Sequence, residues 1–150
     1  MNTQVLTHPE SSASTDPILV YDGDCGFCTR AVQFVLAHDT RRGTVRFAAR
    51  DGEAGRAVRQ RHPHLQVVES LLWVETVDGR EVVSIYSDAV LATATYLGGV
   101  YALLGGLGRI VPRLLRDPVY NLVARVRKQI MRGAPVCHLP APHELARMLP

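Results

Sequence analysis

Apolar residues run Ile18-Leu19-Val20-Tyr21 directly after Pro17, a pattern that predicts a first strand. The period then changes. Cys28, Val32, Val35 and Leu36 recur at helical spacing, with Ala31 and Phe34 beside them, and predict a helix from about Cys25 to His38. Asp39 to Gly43 reads as a turn. Val45, Phe47 and Ala49 alternate with Thr44, Arg46 and Ala48, which predicts a second strand. Glu53 to Arg61 suits a short helix stopped by Pro63. Val67 to Thr76, centred on Leu71-Leu72-Trp73-Val74, is the strongest strand signal, and Asp78-Gly79 turns it back into Glu81 to Ile85. Ser87 is placed to cap a helix from near Asp88 to about Leu97. Gly98-Gly99 breaks the chain before a further helix at Val100 to Ile110. Asp117-Pro118 predicts a helix start, with Asp as the cap and Pro in the first turn. Val119, Leu122, Val123, Val126 and Ile130 mark the expected buried face of that helix, which ends by Gly133.

The element order is β-α-β-α-β-β-α followed by extra helices. A parallel βαβ unit joined to an antiparallel hairpin implies an α/β protein with a mixed sheet covered by helices, the plan of thioredoxin-like folds. Residues 18–150 are expected to form a single domain with a helical C-terminal extension. Residues 1–17, rich in Ser, Thr and Pro, are expected to be a disordered arm.

Composition changes this picture little. With 150 residues, 47% of them hydrophobic and 21% charged, the chain can bury one sizeable core. The start lacks a basic segment followed by an apolar one, so the cytoplasm is the expected location. Charge is more informative, because the net +3 is unevenly spread. From Tyr101 to Arg132 there are six Arg and one Lys against Asp117 alone. Such a strip can meet nucleic acid, an anionic membrane or an acidic partner. The plainer reading, which we take as the expectation, is a solvated face of two packed helices, with no nucleic-acid partner. Ala89 to Gly108 holds twenty uncharged residues, the length of a membrane span, but its glycines favour two shorter helices.

The chemistry lies at Cys25-Gly26-Phe27-Cys28, where the first strand ends and the first helix begins. Backbone N–H groups in the first helical turn lack partners, and their dipoles favour an anion such as a thiolate. Cys25 is then the exposed attacker. Cys28, one turn later and in phase with Val32 and Val35, is the more buried thiol and resolves the mixed disulfide. Gly23 and Gly26 are expected to let the chain turn tightly and leave the approach to Cys25 open. Asp24, Gly26 and Phe27 are the candidate substrate-contacting residues, Phe27 offering an apolar edge. Asp22 and Asp24 oppose a thiolate by charge repulsion. For each an Asx-turn or capping role is the first reading, and Asp22, directly after the strand, is the candidate proton relay to Cys28.

A metal-binding or structural module is the alternative. Cys25 and Cys28 can supply half a tetrahedral site, with Cys137, His138 or His143 completing it. The chain holds no second Cys-x-x-Cys and no His-x-x-x-His, so neither a metal nor another cofactor is expected. Cys137 is read as a packing residue or a regulatory third thiol, and His62, His64 and His138 as surface histidines.

The segment Tyr21-Asp22-Gly23-Asp24-Cys25-Gly26-Phe27-Cys28 resembles the signature of the DCC family (DUF393) of thiol–disulfide oxidoreductases. Its Asp and two cysteines match Asp22, Cys25 and Cys28. The resemblance extends to Phe47-Ala48, Tyr86-Ser87-Asp88-Ala89 and Ile110-Val111-Pro112. It continues through Arg116-Asp117-Pro118-Val119-Tyr120, Ala124-Arg125 and Cys137-His138-Leu139-Pro140, covering roughly Leu19 to Leu149. It implies a thioredoxin-like fold and redox exchange with a protein or small-molecule thiol or disulfide, with thioredoxin or glutathione as a reductant. The chain departs from thioredoxins themselves. Asp24 stands where they carry tryptophan, Gly26-Phe27 replaces Gly-Pro, and Leu65 to Ser70 contains no proline.

Overall fold

A computed structural model describes residues 16–39, 43–130 and 142–150. Ile18–Tyr21 (β1), Gly26–His38 (α1) and Arg46–Ala49 (β2) form the parallel unit, with Leu19 opposite Phe47 and Val20 opposite Ala48. Glu53–Arg61 (α2) leads through a single 3-10 turn at Pro63–Leu65 into the hairpin Leu72–Val77 (β3) and Arg80–Ile85 (β4). Asp78 (φ 51°) and Gly79 (φ 74°) both take the left-handed conformation that a two-residue hairpin turn needs. Three further helices follow, Tyr86–Leu97 (α3), Gly99–Ile110 (α4) and Arg113–Ile130 (α5). The chain closes with the short helix Pro142–Leu145 (α6) and the two-residue strand Met148–Leu149 (β5).

The sheet order is β4-β3-β1-β2-β5, with β1 parallel to β2, antiparallel to β3, and β5 parallel to β2. This is the α/β, thioredoxin-like arrangement that the element order predicts. Successive strand residues point to opposite faces, so the central strands bury both. Leu19, Phe47 and Trp73 pack on one face with Val32 and Val35 of α1 and Ala89, Tyr96 and Leu97 of α3. Val20, Ala48, Leu72 and Val74 pack on the other with Val58 of α2 and Leu65. Gly55 lets α2 lie against the end of β2, since a Cβ there would stand 2.1 Å from the carbonyl oxygen of Ala49.

One buried polar network ties distant segments together. The Tyr96 hydroxyl donates to Asp39 (3.0 Å) and accepts from the amides of Thr44 (3.1 Å) and Val45 (3.0 Å). Arg147 donates to the same Asp39 carboxylate and to the Val45 carbonyl (3.0 Å). The loop before β2 and the residue before β5 are thereby fixed to α1 and α3.

Several sequence expectations are corrected. β3 starts at Leu72 rather than Val67, because the amides of Leu65, Gln66 and Val68 are spent on local turn bonds to His62, Pro63 and Leu65. Val67 is 87% exposed. Ser87 does not cap α3, which begins one residue earlier. Its hydroxyl donates instead to Asp117. α5 begins at Arg113, where the Pro112 carbonyl accepts from the amides of Leu115 (3.0 Å) and Arg116 (3.2 Å), so Pro118 lies inside the helix rather than at its start. The expected buried face of α5 is solvent-facing: Val119, Leu122, Val123 and Val126 are all exposed. α6 and β5 were not foreseen. Of the arm expected over residues 1–17, only Asp16 and Pro17 are among the described residues. Asp16 lies 3.7 Å from Arg46, and Pro17 accepts the Arg46 amide (2.8 Å).

Candidate active site

The carboxyl ends of β1 and β2 meet at one edge of the fold, the usual place for a site in an open parallel unit. Beyond Tyr21 the chain makes a turn in which the Cys25 amide donates to the Asp22 carbonyl (3.2 Å). The Asp22 carboxylate accepts the amide of Asp24 (3.1 Å), the Asx-turn geometry read from the sequence. Arg50, just after β2, completes the corner. Its amide donates to the Tyr21 carbonyl (2.7 Å) and its guanidinium lies 3.6 Å from Asp22. Burial works against the Arg50 charge, but Asp22, then Asp51 and Glu69, more than offset it and raise its pKa. Burial raises the pKa of the Tyr21 phenol, whose charged form is an anion.

Cys25 occupies the N-cap position of α1 in an extended conformation. Its carbonyl accepts the amide (3.0 Å) and the hydroxyl (3.3 Å) of Thr29, which anchors the first turn. Cys25 is half-buried and Cys28 is 1% exposed, in phase with buried Val32 and Val35. No disulfide joins them, and the two cysteines approach to 3.5 Å. Asp24 and Phe27 are exposed around them, while Gly26 is buried as the first residue of the helix. Neither Gly23 nor Gly26 is among the residues with positive φ, so neither is needed for a left-handed turn.

Two features escaped the sequence reading. Arg50 carries no local motif, and only strand pairing brings it to Asp22. An apolar cavity of about 580 Å³ opens beside Cys28, lined by Phe27, Ala31 and Phe34 of α1, Leu71, Leu97 and Tyr101. Phe27 and Phe34, apolar yet off the buried stripe of α1, were the signal for it.

The alternative ligand set of Cys25, Cys28 and Cys137 lies only in part among the described residues. Those residues contain no group of three His, Cys, Asp or Glu side chains able to hold an ion, and Cys137 and His138 lie outside them. His62 is a surface ion-pair partner, 2.7 Å from Glu81. No helix among the described residues is long and apolar enough to cross a membrane.

Fold and site together define a thioredoxin-like protein with two unequal thiols at the start of its first helix. The model of the DCC1-like thiol-disulfide oxidoreductase family matches residues 19–133, and the chain belongs to that family. It is 30% identical over 134 residues to the uncharacterized protein YuxK of Bacillus subtilis (strain 168), covering 89% of this chain and 93% of that one. It is 31% identical over 124 residues to the DCC family protein At1g52590, chloroplastic, of Arabidopsis thaliana, covering 82% and 69% respectively. No solved structure matches.

Proposed function

We propose that residues 18–150 act as one thiol–disulfide exchange domain, with Cys25 the nucleophile and Cys28 the resolving thiol. The observation that carries this reading is the unequal burial of two neighbouring thiols at a strand-to-helix junction. The Cys25 thiolate attacks one sulfur of a substrate disulfide. The S–S bond breaks, a mixed disulfide forms, and the departing sulfur takes a proton. Cys28, deprotonated, then attacks Cys25. The internal disulfide closes, the substrate leaves as a dithiol, and two electrons have passed to it. In the cytoplasm, glutathione or a reduced thioredoxin restores the pair.

Asp22 is the proposed proton relay for Cys28, positioned by the Asp24 amide and by Arg50. Asp24, Gly26 and Phe27, adjacent to Cys25 along the chain, are the proposed contacts for a protein or small-molecule disulfide, with Asp24 and Phe27 exposed.

The test is exchange with glutathione or thioredoxin, read as the redox potential of the pair. Cys25→Ser should abolish turnover. Cys28→Ser should accumulate mixed disulfides, and used as bait in cell extract it should capture the physiological substrate. A wild-type pair that fails to cycle with either reductant would sink the proposal. Asp22→Asn should slow resolution while leaving the first attack intact. An equal loss in both steps would remove Asp22 from the relay.

A further inference from the structure

The helices α4 and α5 are turned inside out. α4 faces α3 with glycines: a Cβ on Gly105 would lie 3.2 Å from the Leu91 carbonyl oxygen, and one on Gly108 would lie 2.6 Å from a Leu91 methyl. Its aliphatic side chains at Val100, Leu103, Leu104, Leu107 and Ile110 follow one helical face and are 54% to 77% exposed. α5 repeats the arrangement with different chemistry. It is fastened by polar groups: Asp117 accepts from Ser87, Arg116 lies 3.1 Å from Asp88, and the Tyr120 hydroxyl accepts the Leu71 amide at 3.4 Å. Leu114, Leu115, Val119 and Leu122 face outward, each at least 61% exposed. Apolar residues exposed along a whole helix face, on each of two helices, mark an interaction site.

We infer that α4 and α5 seat the protein on an anionic membrane surface, lying in the plane of the interface. Charge selects this occupant. The two helices carry six basic residues, Arg109, Arg113, Arg116, Arg125, Arg127 and Lys128, against Asp117 and against Asp88 of α3, which Arg113 and Arg116 reach, still a net +4 where the whole chain has +3. A second copy of the chain would set the same cations against themselves. A nucleic acid would leave the leucines uncovered. An anionic bilayer supplies hydrocarbon for the leucines and negative charge for the arginines. At 12 residues, α4 is about 18 Å long, short of the roughly 30 Å hydrocarbon core, so it lies on the membrane and does not span it.

Cosedimentation of the full chain with phosphatidylglycerol vesicles and with phosphatidylcholine vesicles tests this. Binding should favour phosphatidylglycerol and fall as salt rises. Leu103→Ser with Leu107→Ser should weaken it by about tenfold or more. Arg109→Gln with Arg125→Gln should weaken it by about fivefold per arginine. These side chains are exposed, so an unchanged thermal midpoint shows that the fold is intact. Cys25→Ser should bind like wild type, which separates membrane seating from thiol exchange. Equal binding to both lipids, binding to neither, unaltered binding by the leucine variant, or self-association lost in that variant would each overturn the inference.

Discussion

α1 and the α4–α5 pair each carry an apolar stripe, and the fold uses them in opposite ways. α1 turns Cys28, Val32 and Val35 into the core. α4 turns glycines inward and leucines outward, and α5 meets α3 through Arg116, Asp117 and the Tyr120 ring against Tyr86. The difference teaches that an apolar stripe states the need for an apolar neighbour without saying who provides it. For α1 the neighbour is the sheet. For α4 and α5 no described residue covers the stripe.

The sharpest way to break this comparison is to truncate side chains on each side of it. Trp73, 1% exposed beneath α3, should cost about 3–5 kcal/mol as Trp73→Ala in chemical denaturation. Leu107→Ala, at 54% exposure, should stay within about 0.5 kcal/mol of wild type. A large loss at Leu107 would mean that the apolar face is covered within the molecule.

Charges allow the same contrast. Asp39, with its side chain 2% exposed, depends on Arg147 and Tyr96. Arg147→Ala leaves a buried carboxylate short of its cation and should cost about 3 kcal/mol in chemical denaturation. A loss below 1 kcal/mol would show that the residue before β5 is not tied to the core as the network implies.

A smaller electrostatic effect belongs to the surface cluster of Glu81 with Arg61 (2.8 Å) and His62 (2.7 Å). The Arg61 hydrogen bond lowers the Glu81 pKa against burial, which would raise it, with His62 adding to the lowering. Because the folded-state value is depressed, the contribution is complete above the ordinary carboxyl value of 4.5 and is lost as pH falls through the lowered one. Solvent screening limits it, so Glu81→Gln should cost about 0.5–1 kcal/mol at neutral pH. The gap from wild type should close in acid, and thermal melts across that range would show a persistent gap if the pair contributes nothing.

Local chemistry was legible throughout. The Asp78-Gly79 turn, the Gly98-Gly99 break, the extent of α2 and the junction holding Cys25 and Cys28 all follow from preferences acting over a few residues. Two positive-φ positions mark a hairpin, and a period switch from two to about 3.6 places the thiols at a helix start. The sites that were misjudged had two local answers. Asp117-Pro118 and Pro112 can each open a helix, and the choice fell to Pro112 once Asp117 was engaged by Ser87. The β5 strand has only two residues, too few for any period to show, and it exists because β2 offers an open edge.

The sequence by itself determined the mixed α/β plan, the cysteine pair at the β1–α1 junction and which of its two thiols is buried. Backbone propensity and side-chain period set these within one or two turns of chain. Only the tertiary structure decided that Arg50 stands beside Asp22, that Tyr96 and Arg147 share Asp39, and that an apolar cavity opens beside Cys28. Each joins residues whose separation along the chain carries no local signal. It also decided the outward sense of α4 and α5, because a helix can dock by glycines or by polar pairs as well as by its leucines, and its neighbours select among them.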